Sequence, residues 1–214
     1  EESCGKLMNT GRNMKLLFFQ WHSFMNKGIE RGLKELEIPY DTFFYQFNDW
    51  EKDDAFLEQF RAYLKAGAYT DVLSVNFSPL ISMLCEELGI VYTAWVYDSP
   101  LHIRNLESLK NSCNRILFFD RGQAEQHRKD GVNAMHLPLA VDTEVFRINA
   151  SKWEKEDYRT DISLVGKLYQ TEYAYFTTPL QGYTKGYLEG IVNAQGKVYG
   201  GCLIPELITD ELLA

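Results

Sequence analysis

The chain has 214 residues, 45% of them hydrophobic and 24% charged, which is ordinary globular usage and excludes a disordered, collagen-like or mucin-like polymer. Asp and Glu number 30 against 22 Lys and Arg, a formal net charge of -8, so a nucleic-acid partner is not expected. Cys4, Cys85, Cys113 and Cys202 lie far apart with no C-x-x-C pair, and His22, His102, His127 and His136 are equally scattered, so no metal site is expected. The thiols read as reduced, with Cys85 in the core, and the expected location is cytoplasmic. No stretch is long and apolar enough to span a bilayer, and the start has neither a basic n-region nor an apolar h-region.

Residues 1–13 are polar and read as a tail. Met14-Lys15-Leu16-Leu17-Phe18-Phe19 is a short apolar run, the mark of a strand buried on both faces. Residues 23–37 follow with Met25, Ile29, Leu33 and Leu36 at helical spacing, and Tyr40 to Phe47 reads as a second strand. Asp53 to Lys65 puts Phe56, Phe60, Tyr63 and Leu64 on one helical face, and Asp71 to Phe77 is the third strand. Ser78-Pro79 reads as an N-cap with proline in the first turn of a helix that buries Leu80, Ile81, Leu84 and Leu88 and stops at Gly89. Ile90 to Tyr97 is the fourth strand and Arg115 to Phe119 the fifth. A short helix at 121–130 ends at Gly131, and Val132 to Leu139 is a sixth extended piece. This alternation predicts an α/β fold, a doubly wound Rossmann-like parallel sheet over 14–146.

Residues 147–160 are charged, lack apolar rhythm and suit a linker. Residues 161–214 read as the start of an incomplete second domain or a helical extension, with a strand at 161–166 and helices near 180–194 and 205–213. Gly182, Gly186 and Gly190 recur every fourth residue in the first of those helices. The stripe is read as a weak helix, against the alternative of a close backbone approach.

In a doubly wound sheet, ligands sit beyond the carboxyl ends of the strands, near the point where strand order reverses. The residues there are Trp21 and His22 after the first strand, Asn76 and Ser78 after the third, Asp98, Ser99 and His102 after the fourth, and Asp120 after the fifth. G-x-G-x-x-G, G-x-x-x-x-G-K-[ST] and G-x-S-x-G are all absent, so dinucleotide, P-loop and hydrolase-elbow sites have no support. An Asp with a His nearby suits hydroxyl recognition or proton transfer. The helix start at Ser78 is a place where N–H donors could meet an anion. Asp98 and Asp120 equally suit plain helix or turn caps.

Tyr97-Asp98-Ser99-Pro100, Asn111 to Arg121, His136-Leu137-Pro138-Leu139-Ala140-Val141-Asp142 and Asp161 to Tyr169 resemble the CgeB-like, spore-maturation-type glycosyltransferases of bacteria, in order over about residues 14 to 170. The resemblance implies the N-terminal, acceptor-side half of a GT-B fold, with Asp98 and His102 as catalytic candidates. Trp21, His22, Asn76, Ser78, Ser99 and Asp120 are its acceptor-binding candidates, and Arg121 and Asp142 are expected to fix loops and a hinge. The expected substrate is an acceptor hydroxyl on a glycan or protein. The family needs no metal or bound cofactor; a nucleotide-sugar donor is held by a second domain, which this chain is too short to contain in full. The 214 residues are therefore expected to be inactive alone, and an unpartnered half is expected to self-associate. The alternative is a non-catalytic flavodoxin-like or periplasmic-binding-like module for a ligand or partner.

Overall fold

A computed structural model describes residues 14–146 and 173–209. The tail 1–13, the linker 147–160 and the strand expected at 161–166 lie outside the described residues. The chain divides between Ile148 and Asn149 into two compact units.

The first unit is a six-stranded, all-parallel sheet in the order β2-β1-β3-β4-β5-β6. The strands are β1 (Leu16–Gln20), β2 (Tyr40–Phe44), β3 (Asp71–Val75), β4 (Val91–Val96), β5 (Asn114–Phe118) and β6 (Ala134–His136). The helices are α1 (Asn26–Glu35), α2 (Asp54–Gly67), α3 (Pro79–Leu88) and α4 (Arg121–Lys129), with a 3-10 turn at Leu106–Lys110. From β1 the chain steps to β2 on one side and then returns past β1 to β3, so right-handed crossovers put α1 on one face and α2, α3 and α4 on the other. This is the α/β, Rossmann-like architecture that the alternation of strand and helix patterns predicts.

The apolar run of β1 is buried on both faces, from Leu16 through Phe19. β4 and β5 alternate instead, burying Tyr92, Ala94 and Val96, and then Ile116 and Phe118, against the helices. Under β1 the core is aromatic: Phe19 packs edge-on against Phe56 and Phe60, with centroids 5.7 Å away in each case. Cys85 and Cys113 are buried free thiols, and burial pushes both thiols up, away from reactivity.

The α3 boundaries follow the sequence signals: Ser78 caps, Pro79 occupies the first turn, and Gly89 ends the helix at φ 67°. Other ends shift. The second strand stops at Phe44 rather than Phe47, because the chain turns inward to bury Phe47. The extended piece 132–139 pairs over only three residues. Asn105 caps the 3-10 turn, accepting the Ser108 N–H at 3.3 Å, and Asn114 holds it, donating from Nδ2 to the Ser108 and Leu109 carbonyls at 2.9 and 3.1 Å.

The described part of the second unit is helical: α5 (Tyr173–Thr177), α6 (Gly182–Gln195) and α7 (Ile204–Leu207). α6 and α7 are tied by the Tyr187 hydroxyl, which donates to the Leu207 carbonyl at 2.9 Å. Among the described residues no helix is long and apolar enough to cross a membrane. A Cβ built on Gly186 or Gly190 meets no atom within 4 Å. Among the described residues the two glycines therefore admit no neighbour and only weaken the helix. Gly186→Ala and Gly190→Ala are each expected to raise the stability of α6 by about 1 kcal/mol, read as higher helical ellipticity and slower amide exchange in that segment. Loss of stability on either change would reveal a close approach at the stripe.

Candidate functional site

β1 and β3 part at the place where strand order reverses. Pairing with β1 ends at Ser74, so the carbonyl of buried Val75 has no ladder partner on that side. A buried carbonyl needs a donor. Trp21, the first residue after β1, supplies it: its indole Nε1–H donates to the Val75 oxygen at 2.8 Å. The crevice at which α/β sheets bind ligands is thus floored by an aromatic ring of the chain itself.

More aromatic rings gather around that floor. Trp50 meets Trp21 edge-on at 5.0 Å, Tyr97 lies nearly parallel to it at 6.4 Å, and Phe24 tilts against Tyr97 at 5.1 Å. Phe24 is 76% exposed, a large apolar ring left in solvent. His22 packs edge-on against Phe44 at 5.1 Å, on the outer side.

Asp98 enters from the loop after β4. Asn76 holds it, donating from Nδ2 to Asp98 Oδ2 at 2.8 Å, while Asn76 Oδ1 accepts from the Tyr97 backbone N–H at 3.1 Å. This clip requires Asn76 to adopt a left-handed backbone, φ 60°, which asparagine tolerates better than most residues. Asp98 Oδ1 accepts no hydrogen bond among the described residues, and no basic side chain there pairs with this carboxylate. The Asp98 carbonyl receives Gln123 Nε2 at 3.2 Å, which anchors the loop to α4.

A strap closes one side of the rim. Arg104 donates from Nη2 to both oxygens of Asp49, at 2.7 and 2.9 Å. Glu51 accepts the backbone N–H groups of Arg104 and Asn105 at 2.6 and 2.9 Å. The loop after β2 is thereby joined to the loop after β4, with Trp50 between the two carboxylates in sequence. The hydrogen bond from Arg104, then one from the Glu51 N–H, hold the Asp49 carboxyl below its ordinary value.

The remaining sequence candidates fall into two groups. Ser78 has no exposed surface: its Oγ accepts from the Ile81 N–H, and its own N–H donates to the Tyr92 hydroxyl at 3.0 Å. Ser78 itself is thus buried and occupied by internal partners, contrary to the expectation of a ligand contact. Asn76 is likewise spent on the chain, as the support of Asp98. Asp120 caps α4, accepting the Gln123 N–H at 2.6 Å. Asp142 pairs with Arg31 of α1 and accepts the Glu144 N–H at 3.1 Å, so it fixes its own loop. Ser99 precedes a cis peptide bond to Pro100 and is exposed. His102 is exposed and makes no hydrogen bond to Asp98; the loop carries both but does not join them.

Sequence reasoning missed Phe24, Trp50 and the Asp49–Glu51–Arg104 strap. The signal was present in Asp49-Trp50-Glu51, an indole between two carboxylates in a turn where solvated polar residues are the norm. A cavity of about 350 Å3 is lined by Val141, Thr143, Glu144 and Phe146, on either side of Asp142 in sequence, and none of the aromatic residues named above lines it. Among the described residues no three His, Cys, Asp or Glu side chains group as metal ligands would.

Two expectations follow. Asn76→Gly and Asn76→Ala both lose the clip, but only alanine adds left-handed strain; chemical denaturation should show Ala the less stable by about 1 kcal/mol. Because the folded Asp49 carboxyl sits below its unfolded value, the strap contributes fully above the ordinary carboxylate range and is lost as pH falls through the lowered value. Trp50 fluorescence should stay constant down to that range and change only below it; a transition near neutrality would contradict the Arg104–Asp49 assignment. No family model matches the chain, and no curated protein matches it in sequence.

Proposed function

We propose that the first unit is a sugar-binding half of a glycosyltransferase, with the rim around Trp21 as the acceptor subsite. The observation that supports this most is the union of stacked aromatic faces with an open carboxylate oxygen at the strand-order reversal. Sugars present an apolar C–H face and a hydroxyl edge together, and such a surface answers both. The resemblance of residues 97–100, 111–121 and 136–142 to CgeB-like glycosyltransferases is consistent with it.

In this reading Phe24, Tyr97 and Trp50 take the flat face of the acceptor. Asp98, aimed by Asn76, accepts a hydrogen bond from a polar substituent and so fixes the acceptor's orientation. His102, on the same loop and free in solvent, takes the hydroxyl proton as the oxygen attacks the donor's anomeric carbon. The bond from that carbon to the nucleotide diphosphate breaks as the new glycosidic bond forms. A second, nucleotide-sugar-binding domain is the partner this chemistry calls for. A flavin or dinucleotide module is disfavoured, since Trp21 occupies the place where a phosphate loop would lie.

The test is protein-observed NMR of the Trp21 and Trp50 indole N–H signals during titration with neutral, amino and acidic monosaccharides. At least one class is expected to shift both signals, with affinity reduced roughly three- to tenfold by Phe24→Ala, a change at an exposed ring. Silence of both indoles toward every class would overturn the reading.

A further inference from the structure

The charges of the rim single out one carboxylate. Asp49 and Glu51 share one cation, Arg104, and Asp142 pairs with Arg31. Asp120 lies on the positive start of α4, bound to the Gln123 N–H. Asp98 differs from all four. Among the described residues its only side-chain donor is the neutral amide of Asn76, one of its oxygens accepts no hydrogen bond and no cation pairs with it; Asp98 is itself partly buried. A half-buried anion without a counter-charge is unfavourable unless something supplies one. Its field is felt next door: burial first, and then the Asp98 charge, push the Tyr97 phenol up.

The walls have the same preference. The faces of Trp21, Tyr97 and Phe24 carry the negative side of their ring quadrupoles, and a cation brought over such faces is attracted to them. The Asp98 charge is felt at the Tyr97 phenol, so the carboxylate and the aromatic cluster lie together, and such a pairing disfavours phosphate, sulfate or uronate. It favours a group that is positive at one corner and apolar along one side.

We propose that the acceptor recognised at this rim is an amino sugar, its ammonium held by Asp98 Oδ1 and its C–H face laid on Tyr97 and Phe24. This rests on the sugar-binding reading above and names its substrate class. Asn76 is then the positioning residue that turns the open oxygen of Asp98 toward the ligand. In the amino sugar a hydroxyl beside the ammonium remains free to react.

The experiment uses residues 1–214 and three probes that differ in one group: D-glucosamine, D-glucose and D-glucuronate. Affinity is measured by titration of the tryptophan signals at about pH 6, where an ordinary amine is protonated. Glucosamine is expected to bind about fivefold or more tighter than glucose, and glucuronate weakest. Asp98→Asn, which keeps an acceptor for the Asn76 amide, is expected to lower glucosamine affinity about tenfold and glucose affinity by less, so that the two sugars bind about equally. Raising the salt from about 0.05 to 0.5 M in the unaltered protein should erase most of the preference, and this arm stands even if Asp98→Asn impairs folding. Equal binding of glucosamine and glucose overturns the ammonium assignment and leaves the sugar reading intact. A preference that survives Asp98→Asn overturns it too, by assigning recognition to another group. If none of the three sugars binds, both readings fall together.

Discussion

The carbonyl of Val75 has to be satisfied, and much of the first unit is arranged around that requirement. A parallel sheet that reverses its strand order leaves the end of one strand with an unpaired edge. Here the edge is buried, so solvent cannot complete it. Trp21 brings the missing donor from the adjacent strand and, with it, a large aromatic surface. On its other side the same strand end is completed by its neighbour, where the Asn76 N–H donates to the Trp95 carbonyl at 2.9 Å. One backbone accounting problem thus sets the position of the indole, the left-handed turn at Asn76 and the direction of Asp98.

The two ends of the sheet are finished differently. At the amino end, Tyr69 stacks on Tyr63, donates to Asp41 at 2.8 Å and carries the Lys15 ammonium over its ring at 5.0 Å. All of its polar needs are met within the chain. At the carboxyl end the aromatic rings are met only partly, and Phe24 and Phe44 remain largely in solvent. Closed packing at one end and open packing at the other is the division of labour expected of a scaffold and its working edge.

How much could be read from the sequence differs between the fold and the site. The apolar run of β1 and the Ser78-Pro79 to Gly89 punctuation of α3 are local signals, and local signals give the elements, their order and the rim on which candidates collect. The roles of those candidates depend on what faces them. Ser78 looked like an open helix start because nothing in its neighbourhood announces the Tyr92 hydroxyl, fourteen residues on, that takes its N–H. Asn76 looked like a ligand contact because its left-handed backbone and its grip on Asp98 belong to tertiary geometry. The Arg104 strap joins positions more than fifty residues apart, and no periodicity records such a pairing.

The floor made by Trp21 also has an evolutionary side. Where related architectures keep a glycine-rich turn and a hollow, this chain has filled the hollow from within. The surface there is made of aromatic rings rather than of backbone N–H donors. Shrinking the residue at 21 would reopen the hollow at a cost of roughly 3–5 kcal/mol in lost packing. At this one position, then, a single side chain separates an aromatic platform from a hollow.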